Sequence, residues 1–222
     1  MTRRLIDLSH PIYDGLVTYP GLPAPVIEDH LSREASKEKY APGTEFSIGR
    51  ITMVGNTGTY MDSPFHRYAD GADLAGIDLA RVVDIPGIVV RVGQDEPRAI
   101  DRARLGDIDV RGKAVLIHTG WDRNWATDAY GSGHPFITPD AVEWLASQQP
   151  ALVGIDSLNI DDAPADGTRP AHTGLLAAGI PIVEHLTHLE DLPLTGFRFT
   201  AAPSPVQGFG TWPVRAYATI ED

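Results

Sequence analysis

The sequence "GNTGTYMDSPFH", residues 55–66, contains the polar residues on which the interpretation of this chain depends. Asn56, Tyr60 and Asp62 are separated by even numbers of positions, so on an extended strand their side chains would share one face. A proline favours a bend directly afterwards, and His66 follows that bend. The pattern is compatible with an ordinary strand end and an Asp-initiated turn, with a metal site, or with a metal site that has lost its metal.

Composition and charge restrict the functions that the chain can have. The 222 residues are 42% hydrophobic, which is enough for one sizeable core, and we expect one domain over residues 1–222. The formal net charge of -12 disfavours binding to nucleic acid or to an anionic membrane, so the expected partner is a small-molecule substrate. Because the chain has no cysteine, disulfides, thiolate metal ligands and a cysteine nucleophile are excluded. The amino-terminal residues do not resemble a signal peptide and no apolar run is long enough to span a membrane, so we expect a cytoplasmic protein.

The pattern of apolar residues predicts an α/β fold with a mixed β-sheet and few helices. The 18 prolines and 22 glycines favour short strands and long ordered loops. Residues 84–92 and 113–120 are almost continuous apolar runs, typical of strands buried on both faces. Residues 138–149 predict the clearest helix, with Thr138 as N-cap and a proline at the first helical position. A short helix is predicted at 170–179, and further strands at 3–12, 46–62 (a hairpin, or one long strand ending at Asp62), 151–156, 180–186, 197–203 and 212–220.

Two later side chains also stand in unusual surroundings. His172 opens the short predicted helix. Glu184 lies twelve residues later in the otherwise apolar run "IPIVEHL", where a carboxylate is costly to bury unless it is paired or binds a cation. The alternative is that Glu184 lies at the end of its strand and is solvated. The loop before the helix holds four carboxylates that we expect to be solvated: Asp156, Asp161, Asp162 and Asp166.

With these motifs, the chain resembles the cyclase superfamily that includes bacterial kynurenine formamidase and isatin hydrolase. The family signature runs His-x-Gly-Thr-His-x-Asp-x-Pro-x-His with small variation, and "NTGTYMDSPFH", residues 56–66, aligns with it. The segments "IDLSHPIYDGLVTYPG", "LIHTGW", "LVGIDSLNID", "AHTGLLAAGIPIVEHL" and "APSPVQGFGTWPVRA" also agree, in order. The resemblance covers nearly the whole chain and implies the cyclase-type swivelling β/β/α fold.

The resemblance further implies a metal site, from which this chain departs at two positions. Similar family members bind one or two divalent cations, usually zinc or manganese. The ligands are the first two signature histidines, the signature aspartate, a histidine of the later helix and a glutamate of the next strand, and the last signature histidine is the candidate acid or base. Four residues match this pattern: Asp62, His172, Glu184 and His66. Asn56 and Tyr60 stand where the two signature histidines are expected, and both are weaker ligands, so we expect either no cofactor or one divalent cation, Zn or Mn.

Three functions remain open. The first is a hydrolase or cyclase for a small cyclic or acyl substrate, such as an activated amide, ester or lactone, with metal-independent acid–base chemistry by Tyr60 and His66. In that mechanism Asp62 or Glu184 orients His172, and Asn56 stabilises a developing oxyanion. The second is a metal-dependent amidohydrolase of the kynurenine formamidase type, in which the metal ligands are Asp62, His172 and Glu184. The third is an inactive family member that only binds a small molecule.

Two further expectations concern substrate contact and assembly. Phe65 lies inside the signature and Trp121 follows the motif "HTG", which makes these two aromatic residues the preferred candidates for contact with the substrate. The resemblance also implies a homodimer or a homotetramer.

Overall fold

A computed structural model describes residues 2–93, 97–163 and 167–221. The strands are β1 (Arg3–Asp7), β2 (Val26–Leu31), β3 (Ile48–Thr52), β4 (Tyr60–Asp62), β5 (Ile85–Arg91), β6 (Ala99–Ile100), β7 (Ala114–His118), β8 (Phe136–Ile137), β9 (Leu152–Ile155), β10 (Ile182–Glu184), β11 (Phe197–Thr200), β12 (Thr211–Pro213) and β13 (Tyr217–Glu221). The α-helices are α1 (Arg33–Ser36), α2 (Arg102–Leu105), α3 (Pro139–Gln148) and α4 (Pro170–Ala177). Short 3₁₀ helices cover Pro64–His66, Leu79–Arg81, Trp121–Asn124, Asp128–Gly131 and Leu189–Asp191. Within these described ranges, no helix is both long and apolar enough to cross a membrane.

Nine strands form one mixed sheet, in the order β1-β13-β11-β5-β7-β9-β10-β4-β12. The central strands β5, β7, β9 and β10 run parallel to one another. The flanking strands pair in antiparallel fashion on both sides. The predicted α/β fold with a mixed sheet and few helices is therefore confirmed. Because the four parallel strands end at the same edge, the residues that follow them are brought together there.

Both faces of the sheet are buried. On one face, Met61 and Leu116 belong to an apolar cluster that includes residues of β11 and β13. On the other face, Val115 packs in a cluster with Leu145 of α3 and Leu175 of α4. Burial of both faces explains why the central strands read as continuous apolar runs rather than as alternating ones.

The two predicted helices are present. α3 begins at Pro139 with Thr138 at the N-cap position, as predicted, and the Thr138 carbonyl accepts from the backbone N–H of Val142. The Thr138 hydroxyl forms no capping hydrogen bond to the first turn and lies 3.2 Å from the carbonyl oxygen of Ile100. α4 ends at Ala177, and Gly179 adopts a positive φ of 72° as its backbone N–H donates to the carbonyl of Leu176.

The prediction for residues 46–62 is wrong, both as a hairpin and as one long strand. β3 pairs with β2 in a separate two-stranded sheet, whereas β4 lies between β10 and β12 in the main sheet. The residues between β3 and β4 bend instead of extending, and the hydroxyl of Thr57 donates to the carbonyl of Val54 at 2.7 Å. Asn56 therefore does not share a strand with Tyr60 and Asp62. The pattern of apolar residues does not reveal that β3 and β4 belong to different sheets, because the choice of pairing partner depends on segments distant in sequence.

The single strand predicted over residues 212–220 is also wrong. β12 lies at one edge of the main sheet, and β13 lies beside β1 at the opposite edge. In the segment between them, the backbone N–H of Val214 donates to the carbonyl of Thr59, and the carbonyl of Ala216 accepts from Leu8. The segment is therefore bonded at one end to the residue before β4 and at the other end to the residue after β1.

The separate sheet of β2 and β3 carries apolar side chains that are exposed on this chain. All five residues of β3 are exposed, and Ile48 and Ile51 each keep 46% of their accessible surface. Val26 and Ile27 on β2 are also exposed. Ile27 and Ile51 are partners across the two strands and therefore share one face, and this exposed apolar pair is here called the hairpin surface.

Gly55 allows the loop before β4 to lie directly against β12. It is buried, and a Cβ atom at this position would overlap the backbone carbonyl of Thr211. We predict that Gly55→Ala lowers the free energy of unfolding by about 1–3 kcal/mol, because the backbone of β12 would have to move. Urea denaturation would measure this change.

Gly49 provides a matched control. It is an exposed strand glycine whose added Cβ would meet no atom within 4 Å, so Gly49→Ala should change the free energy of unfolding by less than about 0.5 kcal/mol. Equal stability of the two variants would contradict the close approach of Gly55 to β12.

Candidate active site

Strand pairing brings several polar side chains together at the carboxyl end of β10. In the antiparallel register, Tyr60 of β4 lies opposite Glu184, and Asp62 lies opposite Thr211 of β12. Tyr60 and Asp62 are two residues apart, so they point to the same face. The 3₁₀ helix that follows β4 then places His66 beside them.

Glu184 is completely buried and hydrogen-bonded through both carboxylate oxygens. Its Oε2 accepts a hydrogen bond from the Tyr60 hydroxyl at 2.6 Å, and its Oε1 accepts one from the backbone N–H of Ile160 at 2.7 Å. Burial raises the pKa of Glu184 to about 7, although the positive charge of His172 acts in the opposite direction. The sequence leaves open whether Glu184 is buried with partners or solvated, and the structure shows that it is buried with partners.

Tyr60 is held as a neutral phenol. Burial raises the pKa of its hydroxyl well above the usual range, and the charges of Glu184 and Asp62 raise it further. Because its proton is directed at Glu184, the phenol compensates for the burial of this carboxylate.

His172 is oriented by Asp161. The Nδ1 atom of His172 lies 2.6 Å from Asp161 Oδ2, and the same carboxylate accepts hydrogen bonds from the backbone N–H groups of Ala171 and His172 in the first turn of α4. A carboxylate at a helix amino terminus is stabilised by these otherwise unpaired N–H groups. Since the carboxylate can only accept, Nδ1 of His172 carries a proton, and Nε2 faces the other side of the ring.

The expectation that the acidic loop is solvated is wrong for two of its residues. Asp161 and Asp156 are both completely buried. Asp156 accepts hydrogen bonds from the backbone N–H groups of Thr119 and Gly120, both at 2.8 Å, and so joins the ends of β7 and β9. Asp162 is partly exposed and pairs with Arg98 at 2.6 Å. Asp166 lies outside the described residues.

Asp62 and Glu184 both lie near the remaining ring nitrogen of His172. Nε2 is 3.5 Å from Asp62 Oδ2 and 3.9 Å from Glu184 Oε1, distances at which charge attraction matters more than hydrogen bonding. Burial alone lowers the pKa of His172, but Asp161, Asp62 and Glu184 outweigh it and raise the pKa well above the usual value. Asp62 itself is buried, which raises its pKa, but His172 and His66 outweigh this effect and the pKa is lowered.

A threonine hydroxyl connects Asp62 to His66. Thr211 Oγ1 donates to Asp62 Oδ1 in a short hydrogen bond and lies 2.7 Å from Nδ1 of His66. The His66 side chain keeps 36% of its accessible surface, and its ring centroid is 5.9 Å from that of His172. The two imidazoles therefore lie side by side, one buried and one accessible.

These groups open onto a pocket of about 900 Å³. Five of its lining residues belong to the site: Asn56, Tyr60, His66, Asn159 and His172. Of the eight residues that the sequence singles out, four are not part of this lining: Asp62 and Glu184, which are buried behind it, and Phe65 and Trp121. Trp121 borders a smaller, separate pocket and donates its indole N–H to the carbonyl of Tyr130 at 3.1 Å. The expectation that Trp121 contacts a substrate in the main pocket therefore has no support from its position, and the same holds for Phe65.

Sequence reasoning missed Asp161 and Thr211 as parts of the site. Asp161 carries no local signal, because it reaches the first turn of α4 from a loop position ten residues before Ala171. Thr211 carries no local signal, because its role depends on the pairing of β12 with β4.

The donor set can accommodate one divalent cation. Asp62 Oδ2 is buried and has no hydrogen-bond donor among the described residues. One ligand atom each of Asp62, His66 and His172 lies within 4.8 Å of the other two. The set expected from the sequence contains Glu184 in place of His66, but both oxygens of Glu184 already accept hydrogen bonds. An orphaned carboxylate oxygen beside two imidazoles fits a transition-metal ion.

The chain is similar to known proteins along most of its length. A family model described as "Putative cyclase" matches residues 6–162. A kynurenine formamidase from Erythrobacter litoralis is 30% identical over 207 residues, which cover 90% of this chain and 87% of that protein.

Two solved structures share the fold. Isatin hydrolase A from Ralstonia solanacearum has a TM-score of 0.84 at 23% identity, covering 99% of this chain and 92% of that one. A protein described as a predicted metal-dependent hydrolase from Bacillus stearothermophilus has a TM-score of 0.77 at 27% identity, with complete coverage of both chains. Since the family model spans most of the sequence and the curated relative aligns along nearly its whole length, this chain belongs to the cyclase family and is an enzyme of that family.

Proposed function

We propose that the chain hydrolyses a small cyclic or acyl compound at an activated amide, ester or lactone bond, with His66 and His172 as the acid–base pair. The observation that carries the proposal is the placement of these two imidazoles, 5.9 Å apart, on one pocket. Each ring is oriented by a contact at its Nδ1 atom, His172 by Asp161 and His66 by Thr211. Relatives named kynurenine formamidase and isatin hydrolase support the reaction class.

In this mechanism His66 accepts the proton of the attacking water. Thr211 has one hydroxyl proton, which it donates to Asp62, so the Nδ1 atom of His66 must be the donor in its contact with Thr211. A neutral imidazole protonated at Nδ1 has a free lone pair at Nε2. Nε2 is therefore the atom that takes the proton.

His172 acts on the carbonyl oxygen. Its Nδ1 proton is committed to Asp161, and a second proton at Nε2 makes the ring a cation beside Asp62. Such a buried positive group stabilises the negative charge that develops on the carbonyl oxygen during attack. The side-chain amide of Asn56, on the same pocket, can add a second donor.

The reaction balances without another reactant. Water adds to the carbonyl carbon while His66 takes one of its protons, and the C–N or C–O bond then breaks. His66 returns the proton to the leaving nitrogen or oxygen. The products are a carboxylic acid, which releases its proton to solvent, and an amine or alcohol, and both groups remain in one molecule if the substrate is cyclic.

The metal-dependent alternative would use the same two histidines together with Asp62. A divalent cation would be held by Asp62, His172 and His66, and Asp161 would be the outer carboxylate that orients His172. When bound, the cation would polarise the substrate carbonyl and make a water molecule more acidic. His66 would then be a ligand, and proton transfer would fall to another group.

Replacement of His66 tests the proposed base. We expect His66→Gln to lower kcat/KM for 4-nitrophenyl esters or small lactones by about 10²–10⁴ because the proton acceptor is lost. Thr211→Val removes the hydroxyl that orients His66 and donates to Asp62, and it should lower kcat/KM by about 10–100-fold. Thr195→Val, at an exposed threonine, is the control and should leave turnover unchanged. Unchanged turnover in His66→Gln would contradict this mechanism. Ligands that raise the thermal stability of the protein without being consumed would favour the alternative in which the chain only binds a small molecule.

Replacement of Tyr60 tests the altered metal site. In Tyr60→His, Glu184 loses its phenol donor and a third imidazole is added at a position where the family signature has histidine. We expect this variant to bind Zn²⁺ at least about tenfold more tightly than the wild type, measured by titration against a competing chelator. Tyr60→Phe is the control, since it removes the same hydroxyl and adds no ligand. Equal zinc affinity in all three proteins would show that position 60 does not limit cation binding.

We further propose that the hairpin surface of β2 and β3 binds a second copy of the chain in a homodimer or homotetramer. The support is the exposure of Ile27 and Ile51, which lie opposite each other on one face of the two strands. We expect Ile51→Glu to shift the protein to a smaller species in light scattering coupled to size-exclusion chromatography. Leu79→Glu, at a residue that is 62% exposed on a 3₁₀ helix outside the hairpin surface, should leave the mass unchanged. An unchanged mass in Ile51→Glu would exclude this surface as the contact.

A further inference from the structure

The main pocket has two arginine side chains in its lining, in a protein of strongly negative net charge. Arg67 follows His66 directly, and Arg169 precedes α4, three residues before His172. The pair therefore flanks the two imidazoles along the chain. With a net charge of -12, the protein as a whole repels anions, so attraction of an anion requires local positive charge such as that of these two arginines.

Neither arginine is neutralised by a carboxylate of the described residues. Arg169 donates to two backbone carbonyls, those of Thr168 at 3.0 Å and Ala163 at 3.1 Å. Arg67 contacts the Tyr68 ring, with its guanidinium carbon 5.3 Å from the ring centroid. Five other arginines differ in this respect, because each pairs with an Asp or Glu: Arg50, Arg98, Arg102, Arg198 and Arg215.

Arg169 is also held in place. Its two bonds to backbone carbonyls restrict the guanidinium, and it interacts with the Tyr19 side chain, which lines the same pocket. A positioned guanidinium loses less freedom on binding and suits the planar, two-oxygen geometry of a carboxylate. The Tyr19 ring adds an aromatic surface beside it.

We propose that the pocket selects substrates that already carry a carboxylate, held by Arg67 and Arg169 while the scissile carbonyl lies between His66 and His172. This inference rests on the proposed hydrolytic function for the identity of the scissile bond. The carboxylate that it concerns is separate from the one that hydrolysis creates. The chemical class is therefore a small anionic amide, ester or lactone, with an aromatic ring favoured by Tyr19.

The test is calorimetric binding of matched acid and amide pairs to the full chain, with benzoate against benzamide and phenylacetate against phenylacetamide. We expect each acid to bind at least about tenfold more tightly than its amide at low salt, and this preference to shrink at high salt. In the double variant Arg67→Gln/Arg169→Gln, acid binding should weaken at least about tenfold, while amide binding should stay within about twofold. Arg215→Gln, at an exposed arginine paired with Asp7, is the control and should bind like the wild type.

The outcomes separate this inference from the proposed function. A wild type that binds neither acid more tightly than its amide overturns the inference, as does a preference that survives in the double variant. Hydrolysis of neutral and anionic esters with equal kcat/KM would also overturn it while leaving the hydrolase proposal intact. Acid-selective binding that depends on the two arginines, without turnover of any ester or lactone, would support the anion site and contradict the hydrolase.

Discussion

The site depends on how three buried carboxylates are compensated. Asp62, Asp161 and Glu184 have no exposed surface, and a buried carboxylate is costly unless donors or a positive charge face it. His172 lies against all three, at 2.6 Å from Asp161, 3.5 Å from Asp62 and 3.9 Å from Glu184. The remaining compensation comes from hydroxyls and backbone N–H groups of neighbouring elements. This network couples the position of every group around the pocket to the same few contacts.

The sheet topology explains why these groups meet. Glu184 ends a central parallel strand, while Tyr60 and Asp62 lie on the antiparallel strand beside it. The next strand outward contributes Thr211, and α4 contributes His172. All of these elements belong to or pack on one rigid sheet, which gives the side chains fixed relative positions.

Tyr60 and Asn56 give this family member a distinct chemistry within our proposal. A phenol at position 60 donates its single proton to Glu184 and so compensates for the burial of that carboxylate without a metal ion. One ligand atom each of Asp62, His66 and His172 still lies within 4.8 Å of the other two. Fewer ligands and an accessible imidazole favour acid–base chemistry on a reactive substrate, whereas the orphaned oxygen of Asp62 still leaves room for one cation.

The sequence alone determined the fold class and most of the polar residues of the site. Continuous apolar runs identified β5, β7 and β9, the helical pattern identified α3, and the signature-like segment singled out Tyr60, Asp62 and His66. These features are local, since they depend on residues close together in the chain. The tertiary structure alone decided that Asn56 leaves the strand, that Asp161 rather than Asp62 or Glu184 holds Nδ1 of His172, and that Thr211 joins Asp62 to His66. Each of these depends on contacts between residues distant in sequence, Asp62 and Thr211 being 149 positions apart, and no local pattern specifies which strands or helices will be neighbours.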